Sequence, residues 1–289
     1  MSGGGTLVFG STGQLARALA VHPGVRTIAR AEADLADADA CAALITATRP
    51  GAVINAAAYT AVDRAEAEEP LARRINAEAP GAMARACAGL GIPFVQVSTD
   101  YVFDGSGAAP WAADAPPAPL NAYGRSKLAG EVAVRAAGGV QAILRTAWVF
   151  SGSGANFLRS MLRLGAERGE VRVVADQIGG PTPADALAEA CLTIAAALAA
   201  EPGKSGTYHF AGAPEASWAG FAREIFAQAG LPCTVREIVS ADYPTPAHRP
   251  RNSRLDCRAT GAAFGLAQPD WRAGVARALR ELHSYEVKP

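Results

Sequence analysis

Short apolar runs alternate along the first half of the chain with longer stretches whose apolar positions recur every three or four residues. Thr6–Phe9, Thr27–Ala29, Ala52–Ile54, Phe94–Val97 and Ala142–Leu144 read as strands. Gln14–Val21, Asp37–Thr48, Pro70–Leu90 and Ala122–Ala137 read as helices between them. The strands are apolar throughout instead of alternating, as strands buried on both faces are. The pattern therefore predicts βαβ units with right-handed crossovers, an α/β fold of the Rossmann-type doubly wound parallel class.

The rhythm loosens after about Val149. Asp104–Pro119 is a loop rich in Gly, Ala and Pro, and Tyr243–Pro250 is a second, proline-rich one. Loops this long inside a compact protein are more often binding loops than accidents. The C-terminal third reads as a smaller substrate lobe. The expected division is residues 1–150 for the Rossmann domain and 151–289 mainly for the lobe, with some segments returning to the first domain.

Composition narrows the function. The 289 residues carry 27 basic and 27 acidic side chains, a formal net charge of zero. Nucleic-acid and membrane-surface binders show a basic excess, so neither partner is expected. An anionic small molecule would need locally placed Arg or Lys. Cys41, Cys87, Cys191, Cys233 and Cys257 are scattered and form no CxxC, as in a reduced, cytoplasmic protein. His22, His209, His248 and His283 show no metal-ligand spacing. MSGGGT has neither a basic segment nor an apolar run, so no secretion signal is expected. Ala184–Ala200 carries Asp185 and Glu189 and reads as a buried helix, not a membrane span.

The first strand runs into VFGSTGQLA, where Gly10, Gly13 and Ala16 are spaced three apart before a helix. Gly10 serves a tight turn, Gly13 lets a pyrophosphate approach the backbone, and Ala16 lets the helix lie close to the sheet. Plain helix–strand packing uses the same residues, but the position on the first βα unit favours a dinucleotide. After the second strand, where an acid would grip a ribose 2′-hydroxyl, the chain has Ala29-Arg30-Ala31. Arg30 is open between a partner for a 2′-phosphate, favouring NADPH with NADH possible, and a solvated surface arginine. Asp34 and Leu35 fall where an adenine contact forms. Asn55-Ala56-Ala57-Ala58 keeps the space beside the cofactor free of bulk.

Ser98-Thr99 ends the fourth strand, at the carboxyl edge where open α/β sheets bind ligands. Tyr123 and Lys127 are four apart and share a helix face. A nearby ammonium is expected to draw the phenol from about 10 toward the working pH, where a general acid is most effective. A hydroxyl at Ser98 or Thr99 is expected to hold the substrate oxygen and share its proton with Tyr123. Tyr-x-x-x-Lys alone is a common surface pair. A Ser-Thr strand end and a nucleotide loop beside it make chance a poor account.

This combination resembles the extended short-chain dehydrogenase/reductase family, and within it the dTDP-4-dehydrorhamnose reductases, over nearly the whole chain. The segments that carry the resemblance are FGSTGQLA, VINAAAYTAVDRAE, INAEAP, VSTDYVFDG, PLNAYGRSKLAGE, LRTAWVF, ANFLRSML, VVADQIGGPT and YPTPAHRPRNSRLD. It implies that Gly13, Gln14 and Leu15 hold the pyrophosphate, and that Arg30, Asp34 and Leu35 lie at the adenosine. Ala58, Tyr59 and Thr60 would flank the nicotinamide half, and Tyr123 and Lys127 would contact its ribose. Tyr123 would be the proton donor, tuned by Thr99. Thr99, Asp100 and Trp148 would contact the sugar. Asn156, Gln177, Arg249, Asn252 and Ser253 would lie on the sugar-nucleotide side. Plainer roles stand beside these: Trp148 in the core, Asn156 as a helix cap, Arg249 and Arg251 as solvated charges.

The implied reaction is NAD(P)H-dependent reduction of the C4 ketone of dTDP-4-dehydro-L-rhamnose. The rivals are a sugar-nucleotide epimerase of the same fold and a non-catalytic regulator, like the β-subunit of methionine adenosyltransferase. Members often carry a lysine or arginine at Ser11 and an acid near Arg30; both differences leave the cofactor preference open. Some bacterial members dimerise through a divalent metal held by acids from three segments. The matching positions here read Ala18, Asp185 and Glu281. With one carboxylate missing, the expectation is a monomer or weak homodimer without a bridging metal.

Overall fold

The structure, a computed structural model, describes residues 4–286, without the side chains of 283–286. Residues 1–3 and 287–289 of the expected domains, and the His283 side chain, lie outside the described residues. In chain order the first half runs β1 (Thr6–Phe9), α1 (Gln14–Ala20), β2 (Val25–Ile28), α2 (Ala38–Thr48), β3 (Ala52–Asn55), α3 (Val62–Ala65), α4 (Glu69–Arg73), α5 (Ala79–Leu90), β4 (Phe94–Thr99), α6 (Ala122–Ala137) and β5 (Gln141–Thr146). It continues with β6 (Val149–Phe150), α7 (Phe157–Glu167), β7 (Glu170–Val174), β8 (Ile178–Gly179), β9 (Thr182–Pro183), α8 (Ala184–Ala200), β10 (Gly206–His209), β11 (Ala216–Ser217), α9 (Trp218–Ala229), β12 (Thr234–Ile238), β13 (Asn252–Ser253), α10 (Arg258–Phe264) and α11 (Trp271–Glu286).

Six strands form one parallel sheet in the order β10-β5-β4-β3-β1-β2. The chain steps from β1 outward to β2 and then crosses back to β3. That reversal beside β1 opens the ligand crevice at the carboxyl ends of the strands. Successive residues of each strand face opposite layers. Val8, Ile54, Val95 and Leu144 pack with α1 and α8, whereas Leu7, Phe9, Val53, Phe94 and Ile143 pack with α2 and α5. Both faces are covered, which is why the strands carry no polar alternation. Each fully buried Leu, Ile or Phe contributes about 1.5–3 kcal/mol.

Of the six-stranded sheet, the strand missing from the sequence reading is β10, whose GTYH is short and mostly half-buried. The expected single helix Pro70–Leu90 is interrupted by a π turn over Arg74–Glu78. Its Asn76 side chain accepts from the Tyr59 backbone at 2.8 Å and donates to Ser126 at 2.9 Å, which ties the bulge to α6 and to the end of β3. The alanine-rich α8 lies on the sheet as expected, and no helix among the described residues is long and apolar enough to cross a membrane.

The second half builds its own core from Phe150, Leu158, Met161, Val173, Phe221, Ile225, Trp271 and Val275. Small sheets frame it: β7 with β12, and β8 between β11 and β13. α6 starts where Asn121 accepts from Gly124 N at 2.8 Å. A Cβ on Gly124 would stand 2.2 Å from the Tyr101 carbonyl oxygen, so only glycine lets the helix start against that turn.

Candidate active site

The phosphate turn forms as its spacing predicts. Gly10 has φ +110°, and its N–H donates to the Ile28 carbonyl at 3.0 Å. Gly13 caps α1 with an ordinary φ of −68°, so it is not there for a left-handed backbone. A Cβ on Gly13 would meet no atom within 4 Å. It leaves open space at a helix start that has no side-chain cap and no acid in its first turn. Those features fit a pyrophosphate approaching free N–H groups. The Gln14 side chain turns elsewhere. It donates to the Val149 carbonyl at 3.1 Å and accepts from Ser151 at 3.0 Å and Asn156 at 2.9 Å. Leu15 is buried in the core, which leaves its backbone alone to meet a ligand.

Arg30, past the end of β2, is exposed and pairs with Asp34 at 2.9 Å. Backbone donation from Ala36, with help from Arg30, holds the Asp34 carboxyl below its ordinary range against slight burial. Leu35 is buried beneath the pair. At the other end of the crevice, Ala58 and Tyr59 are half-buried and Thr60 is exposed. The Tyr59 hydroxyl donates to Glu68 at 2.6 Å.

Three successive residues of β4 meet α6 at the carboxyl edge. Lys127, buried, donates from Nζ to the Val97 carbonyl at 2.7 Å. Ser98 donates to Glu131 at 2.7 Å. The Thr99 hydroxyl stands near the Tyr123 phenol and favours its ionised form, while it donates to Asp100 at 3.1 Å and accepts from Tyr101 N at 3.2 Å. Thr99 is therefore the strand-end hydroxyl at the tyrosine. Ser98 is not, because a one-residue step in a strand turns it to the opposite face.

Burial decides the electrostatics. It pushes the Tyr123 phenol up; the nearby Thr99 hydroxyl pulls down and the Asp100 charge pushes up again. The expected downward pull of Lys127 on the phenol does not dominate. Burial lowers Lys127 to about 8, with Glu131 opposing it. Burial likewise raises Asp100 to about 6, against the nearby Ser253 and the Thr99 hydrogen bond. Asp100 Oδ2 has no protein hydrogen-bond partner. Tyr123 thus stays protonated at neutral pH, as a proton donor must.

Beside this cluster lies a cavity of about 820 Å³. Its walls include Tyr101, Phe157, Trp218 and Tyr243, the arginines Arg163, Arg172, Arg249 and Arg251, and Gln177. Tyr101 joins the two regions: it lines the cavity and meets Tyr123 edge-on at 5.5 Å. Gln177 is held in place, accepting from Trp218 Nε1 at 3.1 Å and donating to Ser240 at 3.0 Å. Trp148, with φ +51°, stacks on Trp218 at 3.6 Å and is no buried core residue. Arg249 is no solvated charge. It grips Asp63 with two nitrogens, at 3.1 and 2.8 Å, and so fastens the Tyr243–Pro250 loop to α3.

Of the residues expected at the sugar or its nucleotide, Gln177 and Arg249 line this cavity; Thr99, Asp100 and Trp148 do not, and neither do three that serve as supports. Asn252 is buried and donates to the Ala109 carbonyl at 2.8 Å and the Ser106 carbonyl at 3.3 Å, pinning the Asp104–Pro119 loop. Ser253 is buried against Asp100. Asn156 caps α7 by accepting from Arg159 N at 3.0 Å, and its other end holds Gln14. The plainer reading of Asn156 as a cap is correct for its Oδ1.

The family model described as RmlD substrate binding domain matches residues 5–284. A dTDP-4-dehydrorhamnose reductase of Burkholderia thailandensis is 45% identical over 96% of this chain and 99% of its own length. The chain belongs to the dTDP-4-dehydrorhamnose reductase family. Two solved structures of such reductases each superpose with a TM-score of 0.89. The one from Clostridium acetobutylicum is 34% identical, covering 96% of this chain and 99% of that one. The one from Bacillus anthracis, in complex with NADP, is 33% identical, covering 97% and 100%.

Within this family member, sequence reasoning missed Tyr101, Phe157, Trp218 and Asp63. Tyr101 stands inside the quoted STDYVFDG, two residues past Thr99, and carries the one available signal. Trp218 and Phe157 reach the cavity from helices that look like ordinary core helices in the sequence.

Proposed function

We propose that this chain reduces the C4 ketone of dTDP-4-dehydro-L-rhamnose to dTDP-L-rhamnose, for cell-surface polysaccharide synthesis. The observation that carries the reading is the Tyr123 ring beside Lys127 on α6, edge-on at 5.5 Å to Tyr101, which lines the arginine- and aromatic-walled cavity. A reduced nicotinamide dinucleotide supplies the hydride when bound. Gly10, Gly13 and the backbone of Gln14 and Leu15 hold its pyrophosphate. Arg30, Asp34 and Leu35 meet the adenosine, and Ala58, Tyr59 and Thr60 the nicotinamide half. Lys127 and Tyr123 reach the adjoining ribose. Asp34 already takes up part of the Arg30 charge, so NADPH is preferred modestly and NADH is accepted.

Tyr123 gives its proton to the oxygen that becomes the C4 hydroxyl, and Thr99 orients that phenol. Asp100 brings a buried, unpartnered Oδ2 to the sugar, and Trp148 stacked on Trp218 forms an apolar wall. Gln177 and Arg249 fix the nucleotide half. Asn156, Asn252 and Ser253 act from behind, holding Gln14, the long loop and Asp100.

The division into residues 1–150 and 151–289 follows cofactor and substrate, with α8 and β10 returning to complete the cofactor sheet. The protein works in the cytoplasm, in keeping with five buried, unpaired cysteines, and binds neither nucleic acid nor membrane. It is a monomer or weak homodimer without a bridging metal. Arg277 supports this by giving Asp185 an internal cation at 2.6 Å. The test is stoichiometric oxidation of NADPH on adding dTDP-4-dehydrorhamnose generated in situ, with dTDP-L-rhamnose as product. Conversion of the sugar without net oxidation would make it an epimerase. No conversion would leave a binding protein.

A further inference from the structure

The mechanism proposed above leaves one buried charge unused. Glu131 is fully buried on α6. Arg145 of β5 meets its carboxylate with a fork, Nε to Oε1 at 2.9 Å and Nη2 to Oε2 at 2.7 Å. Ser98 donates to Oε1 at 2.7 Å, and Arg135 adds a longer contact at 3.3 Å. Arg145 is fixed in turn by the Ala113 carbonyl at 3.0 Å, by His209 Nε2 at 3.3 Å and by the Phe103 ring beneath it. Desolvation of a buried ion pair usually matches or exceeds its attraction, so stability alone is served as well by apolar side chains of similar volume.

The placement points to another use. Tyr123, Lys127 and Glu131 are spaced four apart and form one stripe on α6. Two of them bond one short stretch of β4, Lys127 to the Val97 carbonyl and Glu131 to Ser98, and Tyr123 stands near the next residue, Thr99. The two hydrogen bonds clamp the end of the strand to the helix. Thr99 is the last residue of β4, paired with Thr146 of β5, and the chain turns directly after it.

We infer that Glu131 is a positioning residue, which through Ser98 sets the Thr99 hydroxyl against the Tyr123 phenol. Arg145 keeps the carboxylate in place, with the β5 and β10 strand ends as its mount. Loosening Ser98 lets the strand end shift and misaligns the proton donor, with little consequence for either binding site. Geometric errors below 1 Å at a reacting group are enough for losses of this kind.

The test is a double-variant cycle with Ser98→Ala and Tyr123→Phe, read as kcat and KM for NADPH and sugar nucleotide. Ser98→Ala leaves the Glu131–Arg145 pair intact. It is expected to lower kcat about tenfold, with both KM values near the parent's. In the Tyr123→Phe background the same change is expected to cost nothing further, because the group it positions is gone. A parent-like kcat for Ser98→Ala overturns the inference. An equal loss in both backgrounds also overturns it, since Ser98 would then act elsewhere. Glu131→Gln repeats the measurement by a second route; if that variant does not fold, Ser98→Ala decides alone. The inference rests on Tyr123 as proton donor. That reading fails separately if Tyr123→Phe turns over like the parent, whereas the inference fails if Tyr123→Phe is crippled and Ser98→Ala is not.

Discussion

The two ends of the crevice are built differently. At the dinucleotide end, the phosphate turn, the Arg30–Asp34 pair and the small residues after β3 each lie within a few residues of their own strand. Each is placed by the sheet alone. At the sugar-nucleotide end, the cavity draws Tyr101 from the turn after β4, Phe157 from α7, Gln177 from before β8, Trp218 from α9 and Arg249 from a loop. Those residues hold one another: Trp148 on Trp218, Trp218 on Gln177, Arg249 on Asp63. The residues proposed for the cofactor are placed locally and separably, whereas those proposed for the substrate hold one another as a coupled set. Tyr123 stands at the seam, and Asn121 ties the two sides by capping α6 while donating to the His248 carbonyl at 2.7 Å.

Variants at the seam and on each side test that contrast. The largest effect belongs to the seam: Tyr123→Phe is expected to cut kcat by about a hundredfold or more, the size of a general-acid term. Affinity for both ligands should persist. Steady-state turnover beside fluorescence titration of NADPH measures the two separately, and near-normal turnover rejects the assignment.

Lys127 gives the pH dependence. Its ammonium is lowered to about 8 by burial, so the charged form is present below that pH and lost above it. The value of kcat/KM for NADPH is expected to hold through neutral pH and fall about tenfold per unit above about 8. A profile flat to pH 10 would show that the charge on Lys127 is not needed.

On the cofactor side, Arg30→Ala should weaken NADPH more than NADH by about 1–3 kcal/mol, the scale of a charged hydrogen bond. The sugar-nucleotide KM should not move. Equal losses for both cofactors would leave Arg30 a surface residue. On the other side, Trp218→Phe should raise the sugar-nucleotide KM several-fold, about 1 kcal/mol for a lost stacking and hydrogen-bond partner. Because the set is coupled, combining it with Gln177→Ala should cost less than the sum of the two. Simple additivity would break the contrast drawn between the two ends.

The smallest expected effect is none. With Ala18 on α1 and Arg277 bound to Asp185, magnesium and EDTA should change neither mass by light scattering nor activity. A mass that doubles with magnesium and halves with EDTA would show that α1 was misread.

How far the sequence alone reaches follows the same division. The unbroken apolar strands settled a parallel sheet covered on both faces, because a half-exposed strand would have alternated. The Gly10–Gly13–Ala16 spacing, the Tyr123–Lys127 pair and the α6 limits were legible too, since each depends on neighbours three or four residues away. Several things were decided only in three dimensions. Burial, not Lys127, came to govern the Tyr123 phenol, because desolvation depends on what closes over a side chain. Ser98 and Thr99 are identical in promise as a sequence, yet the pleat sent one to Glu131 and the other to Tyr123. Asn252 and Asn156 became supports, and Tyr101 and Trp218 became walls, because cavity contacts join residues more than a hundred positions apart. Local periodicity carries no signal over that distance.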